Sequence, residues 1–184
     1  MCVRQRFLYS VAMKRTTSGF TIVELLIVIV VIGILAAITV VAYNGIQTRA
    51  KNTKTINATT AWIKAVKLYE TDKGSYPPMN SCLGNSTTYP DSGWCWITST
   101  FVVAPSFLSA MQPYMISYPE PDTTNIDSTN TRRGSFYNYS SPSIAYIYMM
   151  LSGTNTCPNM SISHYNGGAS DVVTDGGKYC IYKF

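Results

Sequence analysis

A single carboxylate, Glu24, lies four residues into an apolar run that extends from Phe20 to Ala42, and it is the only ionisable side chain in that run. An acid in such surroundings is costly unless it is hydrogen-bonded or paired with a cation. Cleavage between Gly19 and Phe20 would supply the cation, because the new α-amine of Phe20 would stand about one helical turn from Glu24. Two copies side by side could then pair across, the amine of one neutralising the acid of the other. An ion pair of this kind adds little net stability but fixes register well.

Other chemistry-bearing side chains are sparse. His164 is the only histidine, and it sits in a stretch rich in Ser, Tyr and Asn, where a surface position is the expectation. No glycine-rich phosphate loop follows a strand pattern, and no paired acids stand in a recognisable framework. Asp122, Asn125 and Asp127 are oxygen donors that could ligate calcium, but their spacing is not that of an EF-hand. A solvated loop is the reading adopted, with no metal and no cofactor expected. An enzyme is therefore the function class with least support.

The elements that must position Glu24 follow from length and charge. As a helix, Phe20–Ala42 would measure about 34 Å, against a hydrocarbon core of about 30 Å. Arg4, Arg6, Lys14 and Arg15 precede it and no acid does, which places the start of the chain in the cytoplasm and the remainder outside. Three readings fit these facts. A secretory signal would be cut near Ala36-Ala37 or Val40-Val41-Ala42, although the run is long for one. A plain anchor explains length and orientation but leaves Glu24 without a role. A retained helix, cut ahead of the apolar run, explains all three.

Lys14-Arg15-Thr16-Thr17-Ser18-Gly19, followed by Phe20-Thr21-Ile22-Val23-Glu24-Leu25-Leu26 and the apolar residues to Ile38, resembles a type IV prepilin N-terminus. The resemblance implies cleavage after Gly19 by a prepilin peptidase, methylation of the Phe20 amine, and pairing of Glu24 with a neighbour's amine. It further implies a single-pass precursor in the cytoplasmic membrane that the pilus assembly machinery moves into a helical filament of like subunits on the cell surface. A pseudopilin of a secretion or DNA-uptake system is the alternative within the same fold. Residues 1–19 would then be a discarded leader, 20–42 the membrane and filament-core helix, and 43–184 an extracytoplasmic domain. Two departures from the family pattern stand out. The leader is long, and Met13, just before Lys14-Arg15, offers a start alternative to Met1. Val41 also stands where many members have proline, so no kink is forced there. Gly33 and Asn44-Gly45 remain as the weak points of the helix.

Once the leader is removed, ten basic side chains face nine acidic ones, so the basicity of the whole chain is not a nucleic-acid footprint. Cys2 falls in the leader. Cys82, Cys95, Cys157 and Cys180 remain, an even number in an exported domain, and three connectivities are open to them. The local pairing, Cys82–Cys95 with Cys157–Cys180, would contribute about 3 kcal/mol per bridge.

Ala58, Trp62, Ala65, Val66 and Tyr69 recur at steps of three and four, which predicts an apolar helical stripe lying on a sheet. Thr48–Thr60 is rich in poor helix formers, and Gly74 with Pro77-Pro78 closes the segment. Leu68–Pro77 also resembles the close of the long helix in pilins and pseudopilins. Asn80–Trp96 reads as a loop carrying Trp94 and Trp96, either a ligand platform or, as adopted here, rings packed over a disulfide. Phe107–Met115 reads as a short helix. Ser135–Tyr139 and Ile144–Leu151 predict a hairpin whose second strand is apolar on both faces, and Asp175-Gly176-Gly177 a tight turn before Tyr179–Tyr182. The expected architecture is α+β: one long N-terminal helix against an antiparallel sheet.

Overall fold

In the computed structural model, residues 19–89, 93–96, 101–124, 132–153, 156–165, 173–174 and 177–184 are described. The chain forms two units that part between Ala42 and Tyr43. The helix α1 (Ile22–Lys73) supplies the described residues of the first from Ile22 onward, and its remainder belongs to the second.

The threonine-rich stretch stays helical for a local reason. Thr48, Thr53 and Thr60 each donate a side-chain hydrogen bond to the carbonyl four residues earlier, at 3.0, 2.9 and 2.7 Å. Their hydroxyls are thus satisfied without leaving the helix, which offsets their weak propensity. Gly74 ends α1 at φ 71°, and its N–H reaches the Glu70 carbonyl at 2.8 Å. That left-handed conformation costs glycine little and other residues more.

In the second unit, α1 buries Ala58, Trp62, Ala65 and Val66, with Tyr69 half-buried, as the periodicity predicts. The stripe is wider than the sequence suggested, because Thr55, Thr59 and Ile63 are also fully buried. The two threonines are stitched to the domain: Thr59 Oγ1 lies 2.7 Å from Ser135 Oγ, and Thr55 Oγ1 accepts from the Asp122 N–H at 3.1 Å. Buried hydroxyls are tolerated when so satisfied.

The sheet that α1 covers is antiparallel. It is built from β1 (Ser81–Cys82), β4 (Ser135–Ser141), β5 (Ile144–Ser152), β8 (Gly177–Lys183) and β6 (Ser163–His164) in that spatial order, with β7 (Val173–Thr174) also paired to β8. β5 is central. Its Ala145, Ile147, Met149 and Leu151 meet Trp62, Ile63 and Val66 of α1, together with Tyr137, Cys180 and Tyr182 of the flanking strands. Its other face, with Tyr146, Tyr148 and Met150, joins a second cluster that contains Cys82, Cys95, Phe136, Tyr179 and Ile181. Apolar character on both faces of β5 is thus explained by a core on each side.

The segment Asn80–Trp96 departs from the loop expectation. β1 forms an edge strand against β4, and β2 (Trp94–Trp96) pairs with β3 (Phe101–Val102). β1 is set by pairing with residues more than fifty positions away, and β2 by a near neighbour and the Cys82–Cys95 bond, rather than by local propensity. The β4–β5 hairpin is tighter than the sequence suggested, since Ser140 and Ser141 belong to β4 and only Pro142-Ser143 form the turn. Ahead of it, α2 (Pro105–Met111) runs into a 3₁₀ turn over Gln112–Tyr114. Asp175 and Gly176 of the second expected turn lie outside the described residues.

Candidate functional site

Glu24 is the third residue of α1, and Thr21 stands at the cap. The Thr21 backbone N–H and its hydroxyl both donate to Glu24 Oε2 at 2.8 Å, while the Glu24 N–H donates to Thr21 Oγ1 at 3.2 Å. This reciprocal arrangement is a capping box, which satisfies donors that every helix N-terminus leaves open. The negative charge also stands at the positive end of the helix dipole. Glu24 therefore has a partner within its own chain. The Thr-x-x-Glu spacing that announces it was in the sequence but was not read there.

Around that box the first unit offers no cover. Every described side chain from Gly19 to Val40 is exposed, with Phe20 at 82 % and Leu26 still at 51 %. Gly19 has open space about its Cα, and neither Gly33 nor Gly45 interrupts α1. The segment is long and apolar enough to cross a membrane, and none of it is buried by its own unit. For an apolar run of this size, such exposure calls for lipid or another protein surface.

The second unit is closed by covalent bonds. Cys82 is bonded to Cys95 and Cys157 to Cys180, with Cα–Cα distances of 5.7 and 5.6 Å. The first joins β1 to β2, and the second ties the segment after β5 to buried Cys180 of β8. Trp94 is half-buried, and Trp96 packs over the first bridge's cluster, its ring against Phe101 at 5.5 Å and Phe136 at 5.3 Å. The Arg132 guanidinium lies 3.9 Å from the Trp96 ring centre and 4.8 Å from that of Tyr179, a cation stacked between two aromatic faces. Arg132 was not singled out by sequence reasoning, and nothing local marks it.

The remaining candidates do not converge. His164 is half-buried on the edge strand β6, its ring 5.4 Å from Tyr182. Asp122 Oδ1 accepts from the Thr124 N–H and hydroxyl at 3.1 and 2.6 Å, a self-contained turn. Asn125 and Asp127 lie outside the described residues. Among the described residues no three His, Cys, Asp or Glu side chains group as a metal site would require.

Titratable groups in the second unit are perturbed where they brace it. Tyr114 Oη donates to Asp72 Oδ2 at 2.6 Å, and Lys73 Nζ lies 2.9 Å from the same oxygen. The Tyr114 hydrogen bond first, then Lys73, holds the Asp72 carboxyl below its ordinary range; the bond to Asp72 in turn raises both Tyr114 and Lys73. Burial raises Tyr89, whose hydroxyl lies 2.8 Å from the carbonyls of both Leu83 and Ser135. Gly134, at φ 63°, passes so close that a Cβ there would sit 2.7 Å from the Tyr89 oxygen. These are structural uses of polar groups, clamping the 3₁₀ turn after α2 to the end of α1 and the residue after β1 to the start of β4.

Residues 14–40 match the family model for the prokaryotic N-terminal methylation motif. The fimbrial protein EcpC of Eikenella corrodens is 40 % identical over 76 residues, which cover 41 % of this chain and 50 % of that protein. The type II secretion system core protein G of Aeromonas hydrophila is 38 % identical over 64 residues, 35 % of this chain and 45 % of that one. The type IV major pilin protein PilE1 of Neisseria gonorrhoeae is 36 % identical over 72 residues, 39 % and 44 % of the respective chains. The chain spans about half the length of the curated relatives it matches. No solved structure gives a significant match. The family model covers the leader end, the Gly19-Phe20 junction and most of the apolar run, and the similarity to type IV pilins and pseudopilins is shown.

Proposed function

We propose that this chain is a structural subunit of a type IV pilus filament, made as a membrane-anchored precursor and assembled through its N-terminal helix. The observation that carries the proposal is the state of that helix: an apolar segment with no cover from its own unit, whose one ionisable group sits at the head. On this reading a prepilin peptidase cuts between Gly19 and Phe20, the new Phe20 amine is methylated, and Glu24 meets the amine of a neighbouring copy.

Cleavage changes what surrounds Glu24. In the precursor, residue 20 contributes a neutral amide, and among the described residues the carboxylate is satisfied by Thr21. After cleavage a cation stands at residue 20, and a carboxylate with two oxygens has lone pairs left for a second copy's amine. Among the described residues of the outer domain, both faces of β5 are packed and both cysteine pairs are joined.

The test is the mass of the mature N-terminus. Material beginning at Phe20 and heavier by one methyl group is the expected result; a mature chain beginning at any other residue refutes it. Replacing Gly19 by Val should leave uncleaved precursor in the membrane, since a peptidase that recognises glycine at the cut meets a branched side chain instead. A pseudopilin of a secretion machine is a second reading, favoured by the similarity to core protein G. Imaging of intact cells separates the two: long surface fibres support the pilus, and their absence from cells that make assembled subunits supports the pseudopilus.

A further inference from the structure

We propose that an open polar groove at the start of the second unit binds the phosphate headgroup of an anionic phospholipid, with Arg49 as its main donor. The groove, about 750 Å³, is lined by Asn44, Thr48, Arg49 and Asn52 of α1 and by Ser152 and Gly153 at the end of β5. This inference rests on the reading that Phe20–Ala42 spans a membrane.

The groove offers donors and lacks acceptor charge. Its wall is fixed by Asn52, whose Nδ2 donates to the Ser152 carbonyl at 2.7 Å and whose Oδ1 accepts from the Ser152 N–H at 2.9 Å. Thr48 and Thr53 spend their hydroxyl protons on the helix carbonyls of Asn44 and Arg49. The side chains of Asn44 and Arg49 have no hydrogen-bond or ion-pair partner among the described residues, and Arg49 is exposed. What remains uncommitted is a guanidinium fork and an amide NH₂, the donor set that suits a phosphate. No acid on α1 itself opposes it: between Glu24 and Glu70 the chain carries Arg49, Lys51, Lys54, Lys64 and Lys67 and not one Asp or Glu, and Asp122, whose N–H reaches Thr55 of α1, accepts from Thr124 with its carboxylate.

Position selects a lipid over a soluble anion. Asn44 follows the end of the apolar run by two residues, so in an inserted chain it stands within about 7 Å of the hydrocarbon boundary. The headgroup layer beyond that boundary is about 5–7 Å deep on each side. Arg49, about 10 Å along a helix from Ala42 and with a long side chain, reaches back into it. Lys51 and Lys54 follow within a Debye length and add attraction to an anionic surface.

The full chain, reconstituted into bilayers of phosphatidylcholine and phosphatidylglycerol in equal parts, is extracted gently, and its retained lipids are counted by native mass spectrometry. Wild type is expected to carry phosphatidylglycerol in excess over its bilayer share. Arg49→Gln should cut that excess about fivefold, the effect of one cation near a charged surface, while Lys64→Gln leaves it unchanged. Retention in the bilayer ratio, or an excess untouched by Arg49→Gln, overturns the proposal. Loss of the excess on adding soluble glycerol phosphate also overturns it, since the groove would then be a free-phosphate site. A chain that does not float with the bilayers at all refutes the membrane reading itself. A chain that floats without lipid preference refutes only the headgroup site.

Discussion

Trp62→Ala tests what holds the outer half of α1 to its domain. The helix contains no cysteine, so neither disulfide attaches it, and its seat depends on side-chain packing and a few hydrogen bonds. Trp62 is the largest of those contributors. It is fully buried, stacks on Tyr118 with ring centres 5.8 Å apart and 8° between planes, and meets Phe107 at 5.7 Å. Its Nε1–H donates to the Pro119 carbonyl at 2.9 Å. Removing a buried aromatic costs about 3–5 kcal/mol, and the stranded carbonyl adds about 1 kcal/mol. With a urea dependence of about 2 kcal/mol per molar, the unfolding midpoint should fall by about 2–3 M. Trp62→Phe keeps the ring against Tyr118 and loses the hydrogen bond, so a fall of about 1 M is expected. The assay is urea titration of the detergent-solubilised full chain with disulfides intact, followed by near-ultraviolet circular dichroism. A fall below about 0.5 M for Trp62→Ala would show that the disulfide-closed sheet holds the helix by other means, and the packing argument would be wrong.

Two further outcomes follow from the same geometry. Glu24→Gln retains an acceptor for the capping box but has no charge, whereas Glu24→Ala has neither. Both variants should insert in the membrane and be cleaved, and both should yield few filaments by electron microscopy; abundant filaments from Glu24→Gln would assign Glu24 to capping alone. Tyr114→Phe should lower stability slightly at neutral pH, solvent screening keeping the effect small. Asp72 is depressed in the fold, so its contribution is present above about pH 4 and is lost as pH falls through its folded value. The gap between wild type and Tyr114→Phe should therefore close in acid, as read from thermal melts; a gap that persists there would contradict the Tyr114–Asp72 bond.

The features legible in the sequence were those with a local cause. The apolar run, its lone acid, the glycine that closes α1 and the two-faced β5 are each set by nearby residues, and each is observed. The α+β architecture follows from them. The Thr21–Glu24 box is equally local, but a Thr-x-x-Glu inside an apolar run also fits an acid awaiting a cation, and only the geometry separates the two. Other features had no local trace. β1 and β2 are only two and three residues long, too short to show an alternation, and they exist because β4, β3 and a disulfide hold them. Asn52 meets Ser152 across a separation of 100 residues, and Thr59 meets Ser135 across 76. Neither helix periodicity nor strand alternation marks such pairs, because a polar residue on a buried face reads as an error until its partner is known.

The two units answer the same physical demand in opposite ways. The second packs a core of described apolar side chains on each face of a sheet and locks loops with disulfides. The first leaves all of its described apolar side chains outside, and its acid is satisfied by a threonine that would serve equally well in lipid or in a bundle. Lipid tails are as apolar as leucine, so moving such a helix from bilayer to bundle gains little from hydrophobicity. On the filament reading, the balance then falls to close packing and to the one group whose partner cleavage changes. Before the cut, residue 20 offers Glu24 of a second copy only a neutral amide, and lipid is an adequate environment. After it, every copy carries both an acid and an amine, and a helix surrounded by copies can satisfy both while one alone in lipid leaves the exchange unmade. Proteolysis of a leader can in this way switch assembly on without altering the outer domain.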